Sequence, residues 1–333
     1  MNIIITGASG FIGGFIVEKA LDEGLSVFAA VRSSSSKKYL QDERIKFIEL
    51  NFARPEVLSE QLGDFMKSHG NIDYVVHNAG VTKSLTMEEY NLVNFTFAKN
   101  LIDALRASSH QLKKFVFVSS LAASGPGAEH SDEPIKVSDP CRPVTEYGRS
   151  KLKTEQYLTS LQDFPYVIMR PPAVFGPRDA DMFSFFQLIQ NKLELYIGGN
   201  LQYLSFIYVK DLAAAIVKAT TSSVKQKIYF ISDNHKYTNV LFSERIKHRM
   251  AKKTFVIKLP LFLVHIVARV TETVGKLTQK PSPLNVDKIN ELKCSNWLCD
   301  SSDFYDDTGF KAQYTLDGGI DETINWYKKE NWL

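Results

Sequence analysis

The sequence predicts an α/β protein, a doubly wound parallel sheet carrying a smaller C-terminal α+β lobe. Three observations predict it. Short apolar runs at Ile3–Ile5, Ser26–Val31, Ile45–Leu50, Asp73–His77 and Phe115–Val118 are separated by stretches long enough for a helical crossover, several with helical spacing, the pattern of parallel strands. Most of these runs are apolar at consecutive positions rather than alternate ones, as in strands buried on both faces. Glycine, asparagine and serine follow the runs directly, at the strand ends where open parallel sheets bind ligands.

The bulk properties set limits. The chain has 333 residues, enough for one large domain or two interlocked ones. Forty Lys and Arg against 37 Asp and Glu leave a net charge of +3, too small to argue for nucleic acid. Cys141, Cys294 and Cys299 are odd in number and show no metal-ligand spacing. No metal is expected, and a reducing cytoplasm suits them. Gly7 interrupts the first apolar run after three residues, so that run reads as a sheet strand and not as a signal peptide. Leu259–Val270 is apolar but contains His265 and Arg269 and is too short to span a bilayer. It reads as a buried or surface-docking helix, with no stable membrane insertion.

Taken in order, MNIIITGASGFIGG places Gly7, Gly10 and Gly13 on a strand-to-helix turn. Phe11, Ile12, Phe15, Ile16 and Ala20 form the stripe of the following helix. Gly7 suits a tight turn with positive φ. Gly10 leaves room for a pyrophosphate, and Gly13 allows close packing of helix on sheet. The backbone of Ser9 to Gly13 would line the phosphates at the positive end of the helix. The second strand ends in Arg32, with no acid between Ser26 and Leu40. An NAD site of this kind usually carries an acid there for the ribose. Arg32, Lys37 and Lys38 either meet a 2′-phosphate, which favours NADP over NAD, or form a solvated basic loop.

The third strand runs into Asn51 and Phe52, placed along an adenine. The fourth runs into Asn78, Ala79 and Gly80, small enough for a ribose to pass close. Glu88–Leu105 is helical by pattern. The fifth strand ends in Ser119 and Ser120. Gly125–Pro143 holds four prolines and reads as a loop over a substrate. A helix starting near Thr145 then carries Tyr147 and Lys151 on one face. A neighbouring ammonium would lower the phenol pKa toward working pH, making Tyr147 a proton-transfer group. Ser120 would hold the same substrate oxygen. Met182–Leu195 reads as a Phe-rich helix in which Phe183, Phe185 and Phe186 are core, Gly198–Asn200 as a turn, and Lys227–Ile231 as a strand returning to the sheet.

Together TGASGFIG at 6–13, HNAG at 77–80, FVFVSS at 115–120, YGRSK at 147–151, RPPAVFGP at 170–177 and FIYVKDLA at 206–213 resemble the extended short-chain dehydrogenase/reductases, a superfamily of epimerases, dehydratases and reductases. The resemblance covers nearly the whole chain. It implies a Rossmann-type doubly wound parallel sheet from 1–171 plus about 203–232, and a substrate lobe from about 172–202 and 233–333. It implies Tyr147 as general acid/base, Lys151 as its tuner and ribose ligand, Ser120 as the substrate-polarising serine and Asn94 as proton-relay support. Pro171 and Val174 would lie beside the nicotinamide carboxamide. The segment from Asp317 to Leu333, opening on Gly318-Gly319, resembles the family's closing helix, with Ile320, Ile324, Trp326 and Tyr327 apolar.

Nucleotide-sugar enzymes of this kind commonly carry an arginine at or just before the FIYV-like segment. Here that stretch is Gln202–Phe206, with none; Arg178 would be a substitute or a plain loop cap. The absence favours an NADP-linked reductase or dehydrogenase for a weakly charged small molecule, as in the dihydroflavonol-reductase and 3β-hydroxysteroid-dehydrogenase branches, over a nucleotide-sugar epimerase or dehydratase. A dinucleotide-sensing regulator without turnover is the third reading, disfavoured by the retained Tyr/Lys pair. The resemblance also implies a homodimer through the helices near Glu88–Leu105 and Tyr147–Leu161, with Phe95, Phe97 and Tyr157 as apolar contacts or monomer core.

Overall fold

A computed structural model of the chain describes residues 1–108, 111–198, 201–278 and 286–333. Seven parallel strands form the central sheet: β1 (Asn2–Thr6), β2 (Ser26–Ala30), β3 (Lys46–Ile48), β4 (Tyr74–His77), β5 (Lys114–Val118), β6 (Tyr166–Arg170) and β7 (Lys227–Phe230). Their order is β3-β2-β1-β4-β5-β6-β7. Ile3 pairs Val27 on one side and Tyr74 on the other, so the order reverses between β1 and β4. A crevice therefore opens at the carboxyl ends of those two strands, beyond Thr6 and His77.

Side chains alternate across the sheet. Ile3, Ile5, Val27, Val76, Val116 and Val118 pack against α1 (Phe11–Asp22) and α5 (Val209–Thr221). Ile4, Phe28, Val75, Phe115 and Phe117 face α2 (Pro55–His69), α3 (Phe97–Ala107) and Leu158 of α4 (Glu146–Thr159). That is why the strands are apolar at consecutive positions. α2, with Pro55 in its first turn, is the crossover from β3 to β4.

A second core is aromatic. Phe175, Phe186, Phe206, Phe242, Ile320 and Tyr327 are buried together, with Phe206 and Phe242 stacked at 4.6 Å. It joins the helices Ala180–Gln190 and Asn239–Met250 to α8 (Leu316–Lys329). Phe186 is core as expected, Phe183 is partly buried, and Phe185 is exposed. Phe304 and Phe310, late in the chain, pack back into the core of the main sheet.

Several expected boundaries change. The helix expected to reach Leu195 stops at Gln190, because Lys192 takes a φ of 62°. Leu193–Ile197 is instead a strand pairing in parallel with Phe255–Leu259. The expected Glu88–Leu105 helix is interrupted by a π-helical turn, Asn91–Thr96. Gly198 has a φ of 69°, and the rest of the expected 198–200 turn lies outside the described residues. Leu259–Val270 becomes the end of a strand followed by α6 (Leu261–Thr278). Val264 and Ala268 are buried, while Phe262, Ile266 and Val270 face outward. Among the described residues no helix is long and apolar enough to cross a membrane.

Candidate active site

The glycine turn is shaped by steric exclusion. Gly7 has a φ of 67°, and a Cβ there would sit 2.8 Å from the Ala79 nitrogen. A Cβ on Gly13 would meet the Gly7 carbonyl oxygen at 2.1 Å. Gly13 thus lets α1 close on the turn itself, where packing on the sheet was expected. Gly10 is exposed and caps α1 in extended conformation, with no side-chain hydrogen bond at that end. The first-turn N–H groups of Phe11, Ile12 and Gly13 have no i−4 carbonyl within the helix. A buried-walled cradle of backbone donors fits a pyrophosphate.

The β1 and β4 ends are tied together. Ala79 N–H donates to Thr6 Oγ1 at 3.1 Å, and that hydroxyl lies 2.9 Å from His77 Nδ1. Burial, with the nearby Lys151 charge, drives His77 down to about 3, so it is neutral. Asn78 Nδ2 reaches the Gly7 carbonyl at 3.5 Å. Gly80 is close-packed, since a Cβ there would come within 2.9 Å of Asn94 Oδ1 and 3.3 Å of Lys151 Nζ.

Asn94 sits in the π-turn and is buried. Its Oδ1 accepts from Val81 N–H at 2.8 Å, and its Nδ2 donates to Val81 O and Ser150 Oγ, both at 3.0 Å. Thr154 Oγ1 donates to its backbone carbonyl at 2.8 Å. Asn94 therefore clamps the loop after β4 onto α4.

Thr145 caps α4, its Oγ1 accepting from Gly148 N–H at 3.0 Å. From this helix Lys151 points inward, donating to the Val118 carbonyl at 2.9 Å with its ammonium over the Phe117 ring. Burial lowers it to about 8, and the Glu155 carboxylate opposes the fall. Tyr147 is half-buried, with Tyr90 6.4 Å away ring to ring. The expected lowering of its pKa is overturned. Burial pushes the phenol up to about 12, the Ser120 hydroxyl pulls the other way, and Glu291 and Tyr90 add to the rise. The Lys151 ammonium is held by Val118 and does not offset the loss of water. Ser120 caps the short helix Leu121–Ser124 through Ala122 N–H at 3.1 Å. Behind it, Ser119 donates to Glu155, which is paired with the equally buried Arg170.

The remaining expected ligands are distributed as follows. Pro171 is buried, its carbonyl accepting from Leu121 N–H at 2.8 Å, and Val174 lies partly exposed on the strand pairing with Phe206–Tyr208. Asn51 turns its Oδ1 to Ala53 N–H, and the Phe52 ring stands edge-on to His77. Arg32 is exposed, and no partner for its guanidinium is seen among the described residues. The two lysines are otherwise engaged: Lys37 lies over Phe47, and Lys38 pairs with Glu330 at 2.8 Å. Arg178 is no diphosphate clamp, because it stacks on Phe15 and Tyr39 and pairs with Glu18 at 2.8 Å.

Three acidic residues at the site escaped the sequence. Glu49, at the end of β3, accepts from Ser33 N–H at 3.3 Å beside Arg32. α7 (Val286–Leu292) brings Asp287 to the N–H of Glu146 at 3.0 Å and Glu291 toward Tyr147. Glu49 was readable from the strand order; the other two arrive from 141 residues away or more with no local signal.

A model of the NAD dependent epimerase/dehydratase family matches residues 3–232. The ceramide reductase of Caulobacter vibrioides is 25% identical over 334 residues, 99% of this chain and 96% of that protein. The UDP-glucose 4-epimerase of Thermotoga maritima, solved with UDP-glucose, superposes with a TM-score of 0.79 at 19% identity, covering 99% of this chain and 100% of that one. The dTDP-glucose 4,6-dehydratase of Bacillus anthracis, solved with NAD, gives 0.77 at 19%, covering 100% and 98%.

Proposed function

This chain belongs to the NAD dependent epimerase/dehydratase family and is an enzyme, and we propose that it is an NAD(P)-dependent oxidoreductase acting at an alcohol or carbonyl carbon, with Tyr147 as general acid/base. The observation that supports it is the grouping at the β4 and β5 ends: Ser120 in hydrogen-bond reach of the Tyr147 phenol, and the Lys151 ammonium on the Val118 carbonyl beside Gly80. Burial raises the phenol, so Tyr147 carries a proton that it can give to a carbonyl oxygen.

The nicotinamide, when bound, supplies or accepts the hydride. Backbone N–H groups from Ser9 to Gly13 hold the phosphates, Asn51 and Phe52 take the adenine side, and Asn78 to Gly80, Lys151, Pro171 and Val174 take the nicotinamide side. Ser120 donates a hydrogen bond to the substrate oxygen, Tyr147 delivers the proton, and Asn94 holds the loop that shapes the ribose pocket. NADP is the proposed cofactor, because Arg32 at the β2 end is exposed and has no guanidinium partner among the described residues. Glu49 beside it works against a 2′-phosphate, so the preference is a balance of these two charges. In the substrate lobe, read as 172–202 plus 233–333, Gln202 donates to the Leu292 and Cys294 carbonyls, and Ser205 Oγ accepts from Cys299 N–H. With Arg178 spent on α1, these residues offer no cation for a diphosphate. That supports a weakly charged substrate, and the likeness to a ceramide reductase agrees. Three free cysteines fit a cytoplasmic setting.

The test is NADPH oxidation with an aldehyde and ketone panel, alongside NADH. The second reading, a nucleotide-sugar epimerase or dehydratase with tightly held NAD, draws on the fold likeness to such enzymes. NAD retained through purification, with UDP- or GDP-linked sugars raising the melting temperature, would replace the first reading with the second. A regulator without turnover is left if no panel reacts.

A further inference from the structure

We propose that the outward face of α6 is a docking surface that seats the protein on bilayers carrying anionic lipid. Soluble helices turn their apolar stripe inward; α6 does the reverse. Val264 and Ala268, two modest side chains, hold it to the protein against Ile289. Leu263, Ile266, Val270, Val274 and Leu277 recur at spacings of three and four on the opposite side, and Leu277 is 81% exposed. The strand leading in adds Phe255 at 75%. Ten of the seventeen exposed large hydrophobics of the described chain fall between residues 255 and 277. Such concentration marks an interaction surface and not ordinary scatter.

Charge selects the occupant. Between Lys252 and Thr278 the sequence holds five Lys or Arg and one Glu, whereas the whole chain is nearly balanced at 40 to 37. Lys253, Lys258 and Arg269 are exposed beside the apolar side chains. An apolar face with basic residues at its margin is the pattern of helices lying in the interface of anionic membranes. A two-fold contact with a second copy would set this basic margin against itself. Among the described residues no helix is long and apolar enough to span, and the contact proposed is one in the plane of the surface.

The location adds a use. α6 packs through Val264 and Ala268 on Ile289, and two positions before Ile289 the Asp287 carboxylate holds the Glu146 N–H beside Tyr147. The docking helix thus rests on the element that borders the reacting phenol. The surface itself does not depend on the oxidoreductase reading, and its test uses no turnover.

The experiment is flotation of the full chain with phosphatidylcholine vesicles carrying about one third phosphatidylglycerol, compared with phosphatidylcholine alone. The parent protein should float with the anionic vesicles and be released by high salt. Ile266→Glu with Val270→Glu should lower the bound fraction about tenfold or more while leaving the melting temperature unchanged, since both side chains are exposed. Lys253→Glu with Lys258→Glu should lower it on anionic vesicles. The proposal is overturned if the parent stays unbound, if it binds neutral vesicles equally, or if light scattering shows a dimer that Ile266→Glu converts to monomer.

Discussion

Tyr147 and Lys151 share a helix face yet meet opposite fates. Burial holds the phenol protonated and strips the ammonium of part of its proton affinity, from 10.5 to about 8. Tyr147→Phe should therefore keep cofactor affinity and reduce kcat by about 10²–10⁴, read by single-turnover NADPH oxidation; an unchanged rate would remove the residue from the chemistry. Lys151 yields a paired prediction. Between about pH 8 and 10.5 the unfolded chain binds the proton that the folded chain has released, so stability rises with pH across that window. The same loss of charge weakens the hold on the ribose and on any phenolate. Activity should fall above pH 8 while the denaturation midpoint climbs, and Lys151→Arg, which cannot titrate there, should flatten the activity limb. That Tyr147 and Lys151 sit on one helix was legible from their spacing of four; Ser120 and Asn94 were marked by the family resemblance alone. The direction of the Tyr147 shift was not legible, because it depends on desolvation and on Glu291, which α7 brings from far along the chain.

At the scale of elements, the β1–turn–α1 unit is the part that sequence reads best. Its three glycines answer to contacts within thirteen residues and to one neighbouring segment, Asn78-Ala79. Gly13→Ala would press a methyl against the Gly7 carbonyl, 2.1 Å from the ideal Cβ, and α1 would have to move off the turn. Loss of dinucleotide binding by calorimetry, with a melting temperature lowered by several degrees, is the expected result; wild-type affinity would mean that the turn is not the phosphate cradle. The π-turn at Asn91–Thr96 had no such signal. It is set by Asn94 reaching both Val81 and Ser150, contacts from two other segments. The strand Leu193–Ile197 was hidden in the same way, since its partner, Phe255–Leu259, lies some sixty residues on.

For the whole molecule, the parallel sheet and its burial on both faces follow from local apolar runs, whereas the outward stripe of α6 runs against the usual rule and was readable only as one of two options. A second surface question concerns self-association. Phe95 and Tyr157, on neighbouring helices, meet edge to face at 6.3 Å while both stay half-buried, and Lys153 lies over Phe95. The Tyr157 hydroxyl is taken by Asp103. Tyr157 packs against the edge of the sheet core, and both rings keep part of their surface in solvent. If the helices bearing them pair across a two-fold axis, light scattering at micromolar concentration should give twice the chain mass of 37.7 kDa. Phe95→Glu should return it to one, because a carboxylate in an apolar two-fold contact meets its own copy. The substitution lies on the far side of α4 from the inward-facing Lys151, so cofactor affinity should hold. A monomer from the outset would limit that face to covering the edge of the sheet core, where Tyr157 packs.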